Sequence, residues 1–164
     1  MHPYTIKKAE LPDLDFVAML FDEYRVFYKQ ASDLDKARTF IQNRMKNNES
    51  VIFLAIERQS DNVIPVGFVQ LYPSFSSVSM KKLWILNDLF VAPSARKKGI
   101  AKMLMETAKN YAVKTEAKGL ILETAVDNDP AKKLYESMGY KKDVQCDHYE
   151  FIISSIEWGN DPKN

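Results

Sequence analysis

The stretch from Leu83 to Ala112 constrains the fold of this chain more than any other. An apolar run, Leu83-Trp84-Ile85-Leu86-Asn87-Asp88-Leu89-Phe90-Val91, reads as a buried strand. Ala92-Pro93-Ser94-Ala95 breaks it, and Arg96-Lys97-Lys98-Gly99-Ile100-Ala101 opens a helix. Ile100, Met103, Leu104, Thr107, Ala108 and Tyr111 then recur at helical spacing, and Lys118-Gly119 supplies the expected stop. Leu120 to Val126 reads as a second buried strand. A strand, a helix and a strand of these lengths form a right-handed crossover, so the two strands are expected to be parallel. The basic turn then lies at the carboxyl end of the first strand, where open α/β sheets bind ligands. The first amides of a helix have no internal partner and its dipole is positive there, so the turn is suited to an anion such as a phosphate.

The remainder of the chain supplies more strands and helices around this unit. Tyr4 to Ala9 alternates as a short strand, and Leu11-Pro12-Asp13 starts a helix carrying Leu14, Val17, Ala18, Phe21, Tyr24, Val26 and Tyr28. Ser32 or Asp33 can cap a second helix to about Asn47. Ser50 to Arg58 and Val63 to Tyr72 read as a hairpin around an Asp-Asn turn, and Pro73 to Met80 as a loop or a splayed continuation. Asp127-Asn128-Asp129-Pro130 caps a short helix that Gly139 ends. Tyr140 to Val144 and His148 to Ile156 are expected to be closing strands, and Trp158 to Asn164 a polar tail.

Size and charge narrow the function classes. The 164 residues fit one domain, 1–164, with a proper core. A net charge of +1 gives no field to gather nucleic acid, so no nucleic-acid partner is expected. Cys146 has no second cysteine to pair with, and with His2 and His148 it offers no metal-ligand spacing. No apolar run reads as a signal peptide or a membrane span, so a soluble, cytoplasmic protein without a membrane partner is expected.

The residues from Val66 to Tyr140 resemble the GNAT superfamily of N-acetyltransferases. Arg96-Lys97-Lys98-Gly99-Ile100-Ala101 matches that family's acetyl-CoA motif, with Asp88-Leu89-Phe90-Val91 and Pro93 before it. Asn128, Pro130, Ala131, Tyr135 and Gly139-Tyr140 follow at the spacing of the family's second half. The resemblance implies an α/β (α+β) fold: a mixed, mostly antiparallel central sheet with a splayed parallel pair at strands 4 and 5, flanked by helices. It implies acetyl-CoA as cosubstrate and no metal. The diphosphate would be held by the turn at Arg96, Lys97, Lys98, Gly99, Ile100, Ala101 and Lys102. Main-chain groups at Leu89, Phe90 and Val91 would hold the pantetheine and the acetyl carbonyl, and Asn128, Ala131 and Tyr135 would complete the cofactor site.

Direct attack by an amine needs no side-chain nucleophile, in keeping with a chain that offers no Cys-His or Ser-His-Asp arrangement. Tyr135, seven residues after Asn128, stands where the family places its general acid toward the sulfur. Several small-amine members carry Glu-Asp where this chain has Asn87-Asp88. Asn87 cannot accept a proton but can order a water; Asp88 reads equally as the base and as a structural carboxylate. For the acceptor, Asp22, Glu23, Tyr24, Phe27 and Tyr28 combine acids and aromatics suited to a cationic amine, with Tyr72, Phe75 and Trp84 as a second wall. Expectation centres on a small primary amine, such as a di- or polyamine. A protein lysine or N-terminus, or a coenzyme A binding module without catalysis, are the alternatives. A homodimer through the Tyr149 to Ile153 strand is compatible with the resemblance, as is a monomer.

Overall fold

The computed structural model describes residues 3–153, and the chain divides into two compact units, Met1–Ala125 and Val126–Asn164. In the first unit the elements run β1 (Tyr4–Lys8), α1 (Leu14–Phe27), α2 (Leu34–Lys46), β2 (Val51–Gln59), β3 (Asn62–Ser76), β4 (Lys81–Val91), α3 (Ile100–Lys114) and β5 (Leu120–Ile121). The sheet order follows the sequence, β1-β2-β3-β4-β5. Its first three pairings are antiparallel, and β5 joins β4 in parallel through Trp84↔Leu120 and Ile85↔Ile121. This is the mixed sheet expected of the family.

Alternation along the strands sorts the side chains onto two faces. Ile52, Leu54 and Ile56 of β2 meet Phe68 and Phe90, and α1 and α2 cover them with Leu14, Val17, Leu20, Phe21, Ala37 and Ile41. Phe53 and Trp84 belong to the opposite face, where both rings lie 5.4 Å from that of Tyr111 on α3. Ile100, Leu104, Met105, Ala108 and Ala112 form the buried stripe of α3 that the periodicity requires.

The parallel pair is splayed because β5 accompanies β4 only at Trp84 and Ile85, while β4 runs on to Val91 beside β3 alone. The expected strand from Leu120 to Val126 therefore shortens to two residues, with Ile121 48% exposed where a buried residue was expected. The helix before it also stops early. Thr115 caps α3 through its N–H to the Tyr111 carbonyl, and Glu116 takes a left-handed φ of 54°. Trp84 holds this cap by donating Nε1–H to Thr115 Oγ1 at 2.9 Å. Gly119 instead opens the parallel ladder, its carbonyl accepting from Trp84 N at 3.1 Å.

In the second unit α4 (Asp129–Ser137) starts where Asn128 accepts from the Ala131 amide, and Gly139 follows it at φ 91°. Closing strands are expected at Tyr140–Val144 and His148–Ile156; among the described residues, 140–153 make no strand ladder, and Tyr149, Phe151 and Ile152 are exposed. Alternation supplies a strand with a surface, but only a partner strand satisfies its backbone. Residues 154–156 of that expected strand, the tail from Trp158 to Asn164, and His2 lie outside the described residues.

Candidate active site

The site is built where the splay opens β4. Opposite Gln70 and Leu71 of β3 stand Asp88 and Leu86, so Asn87 is an extra residue, a bulge. Because side chains alternate along a strand, one extra residue reverses the pattern beyond it. Trp84 belongs to the α3 face, whereas Asp88 and Phe90, past the bulge, belong to the α1 face. Asp88 is thereby 3% exposed in the interior, yet it is well partnered. Gln70 Nε2 donates to its Oδ2 at 2.5 Å, Asn87 Nδ2 to its Oδ1 at 3.0 Å, and the Tyr24 hydroxyl also donates to it.

Tyrosines stand over this carboxylate. Burial, first, and then the Asp88 charge and hydrogen bond hold the Tyr24 phenol far above its ordinary range. The same two causes, burial before charge, push Tyr72 up to about 12, and its hydroxyl accepts from Gln70 Nε2 at 3.0 Å. Tyr28 lies edge-on to Tyr24 at 4.9 Å, and the Tyr24 ring is 6.0 Å from Phe68 and 6.3 Å from Phe90. The Arg96 guanidinium lies over Phe27 and Phe90 at 5.4 and 5.9 Å and donates from Nε to the Val91 carbonyl at 3.1 Å. Arg96 thus links the basic turn to the aromatic cluster.

The turn has the geometry its sequence calls for. Ala92 N–H donates to the Val66 carbonyl at 2.8 Å, Pro93–Ala95 form one 3-10 turn, and Lys97 and Gly99 take φ values of 61° and 79°. Nothing among the described residues crowds Gly99, so its left-handed backbone is the reason for glycine there. The first α3 bond runs from Met103 N–H to the Gly99 carbonyl, so the amides of Ile100, Ala101 and Lys102 precede the intrahelical ladder. Beside them, the half of β4 that holds Leu89, Phe90 and Val91 has, among the described residues, a strand on one side only. An oxyanion-rich group followed by an extended chain of amides matches these two sets of donors. Lys98 turns to Tyr4, whose hydroxyl bonds it and raises its pKa.

Two candidate acceptor residues have other employment. Asp22 accepts from Ser32 Oγ at 2.6 Å and Asp33 N–H at 2.8 Å, which ties the α1–α2 loop, so its carboxylate is not part of the tyrosine cluster. Trp84 is on the wrong face for that cluster, because the bulge at Asn87 separates its alternation from that of Asp88. Phe75 is 74% exposed. Two residues went unnoticed in the sequence. Gln70 is fully buried against Asp88, an eighteen-residue separation that only the strand register closes. A Cβ on Gly67 would lie 2.8 Å from the Phe90 carbonyl oxygen. A lone glycine in the run Val66-Gly67-Phe68 was the available signal for such a close approach.

In the second unit, Tyr135 lies on α4 with its ring 6.1 Å from Tyr140, and Asn128 and Ala131 form the N-cap bond of that helix. Among the described residues no group of three or more His, Cys, Asp or Glu could hold a metal, and no helix is long and apolar enough to cross a membrane.

Comparison with known proteins agrees with this geometry. The chain is 49% identical over 145 residues to the uncharacterized N-acetyltransferase YhfO of Bacillus subtilis (strain 168), covering 88% of this chain and 95% of that one. It is 32% identical over 147 residues to a probable acetyltransferase of Haemophilus influenzae, covering 90% and 97%. A crystal structure of a probable acetyltransferase superposes with a TM-score of 0.85 at 42% identity, covering 92% of this chain and 98% of the other. Residues 16–140 match the family model of the acetyltransferase (GNAT) family, and the chain belongs to that family.

Proposed function

We propose that this acetyltransferase moves the acetyl group of acetyl-CoA directly to a small primary amine, such as a di- or polyamine, in the cytoplasm. The observation that carries the acceptor class is the buried Asp88 carboxylate under Tyr24 and Tyr72, at the open half of β4. A carboxylate behind aromatic rings suits an ammonium group by charge and by cation–π contact. Tyr24 and Tyr28 bind the amine, and Asp88 accepts its proton while Asn87 orients the carboxylate. The family match crosses from the first unit into the second, which supports a single catalytic domain.

Acetyl-CoA supplies a thioester carbonyl for attack and a phosphate-bearing handle for binding. The amides from Lys97 to Lys102, opened by Gly99 and flanked by Arg96, hold the diphosphate. Backbone groups of Leu89, Phe90 and Val91 bind the pantetheine, and one of their N–H groups polarises the acetyl carbonyl, an effect of about 3 kcal/mol for a good donor. Asn128 and Ala131 start the helix that carries Tyr135. Tyr135 donates its hydroxyl proton to the departing thiolate.

Thiol release from acetyl-CoA across a panel of amines tests this reading. Turnover with diamines or polyamines is expected. Turnover with peptides alone would replace the small amine by a protein lysine or N-terminus. No turnover with any amine would leave only a coenzyme A binding module.

A further inference from the structure

We propose that Tyr24 is the proton relay between the acceptor amine and Asp88, a role beyond amine binding. The inference rests on the amine-acetyltransferase reading above. Its basis is the set of groups surrounding the Asp88 carboxylate. At 3% exposure Asp88 is shielded from solvent by its own partners, Gln70 at Oδ2, Asn87 at Oδ1 and the Tyr24 hydroxyl. Gln70 and Asn87 present amide N–H groups, which donate hydrogen bonds but do not exchange protons on the time scale of turnover. A hydroxyl can accept one proton as it gives up another. Tyr24 is the partner with that chemistry, and it is only partly buried.

Tyr72 is close by but differently connected. Its oxygen accepts from Gln70 Nε2, so it reaches Asp88 only through an amide. The rings of Tyr28, Phe68 and Phe90 surround Tyr24 and limit its movement, which suits a group that must keep one hydrogen bond while making another. The transfer balances without a phenolate. Before the amine nitrogen attacks the acetyl carbon, one proton of its ammonium form passes to Tyr24 Oη and the former Tyr24 proton passes to an Asp88 oxygen, which frees the nitrogen lone pair. The amine has lost one proton, Asp88 has gained one, and Tyr24 is restored. The raised phenol pKa agrees with a neutral hydroxyl throughout.

The test compares Tyr24→Phe, Asp88→Asn and the double variant. The substrates are the preferred amine of the panel and an alkoxyamine that is already neutral at the assay pH. Tyr24→Phe is expected to lower kcat with the basic amine by roughly a hundredfold, with the acetyl-CoA dissociation constant within about twofold of wild type. The double variant should be no slower than Asp88→Asn alone, because both residues serve one path. The loss at Tyr24→Phe should shrink about tenfold or more with the alkoxyamine, since less proton removal is needed. Multiplying defects, equal losses with both amines, or a Tyr24→Phe enzyme above half of wild-type turnover would each overturn the relay while leaving the amine reading intact. A misfolded variant gives equal losses and counts against it. A wild-type enzyme that acetylates no amine removes both.

Discussion

Asp88 shows how one residue's role depends on partners that the sequence holds far apart. A carboxylate in an apolar strand was legible at once, as was the aromatic cluster at Tyr24, Phe27 and Tyr28. Gln70 was not, because its value to Asp88 comes from cross-strand register, and glutamine in a strand carries no signal of its own. Asp22 and Trp84 are engaged elsewhere for the converse reason: composition near a site does not reveal which side chains a loop or the opposite face has already claimed. At this scale the tyrosines yield a test. Tyr72 is raised from its ordinary value of 10.0 to about 12, and Tyr24 further still. In an alkaline absorbance titration the ionisation that Tyr72→Phe removes should lie above pH 10, and the one that Tyr24→Phe removes higher still. The linked stability has a definite sign. Below pH 10 the unfolded and folded phenols are both neutral and the contribution is complete. As the pH rises from about 10 toward 12 the unfolded chain releases protons that the fold retains, so stability falls. Urea midpoints should drop through that window, and less steeply in Tyr72→Phe. Eight tyrosines titrating as a single ordinary group would contradict the burial and charge described.

Elements were read with more success at their starts than at their ends. Asp33 caps α2, Asn128 caps α4 and Gly99 precedes α3, each by local chemistry that sequence displays. The end of α3 is set by a tertiary bond, from Trp84 to Thr115, and the length of β5 by how far β4 remains beside it. Neither is encoded locally. The closing strands expected from Tyr140 and His148 make no ladder among the described residues, and their alternation names no partner. The contact between β3 and β4 at Gly67 belongs to this scale too. Replacing Gly67 with Ala puts a methyl 2.8 Å from a backbone oxygen that cannot rotate away. A loss of about 1–3 kcal/mol is expected from overpacking, measured by urea denaturation. Retained stability together with unchanged acetyl-CoA binding would show that the strands separate freely there.

At the scale of the whole molecule, the order of elements was the most legible property. A five-stranded sheet in sequence order, with one parallel pair at its end, follows from the hairpin, the crossover helix and the βαβ spacing. The motif at Arg96 to Ala101 and its flanks pointed to the family that residues 16–140 match. The division of the chain after Ala125 was not legible, because Leu120 to Val126 reads as one strand, interrupted only by Glu123 and Thr124, and has no Gly, Pro or Ser to mark a boundary. Tyr135 stands in the second unit, and its proposed role is that of the general acid. Tyr135→Phe should lower turnover roughly tenfold to a hundredfold while acetyl-CoA affinity stays near wild type. Isothermal titration and steady-state rates separate the two effects, and unchanged turnover would remove Tyr135 from the reaction.

The bulge at Asn87 also limits how this strand can change over generations. Because one surplus residue sets the phase of everything after it, β4 tolerates exchange of its side chains more readily than a change in their number. Removing Asn87 would leave Leu86 opposite Leu71 and Asp88 opposite Gln70, but inserting one residue between Asp88 and Leu89, with no second bulge to absorb it, would turn Phe90 toward α3 and Leu89 toward α1 without altering a single charge. Between Asp88 and Val91 the length of the strand is therefore itself an inherited character, as binding as any side chain in it.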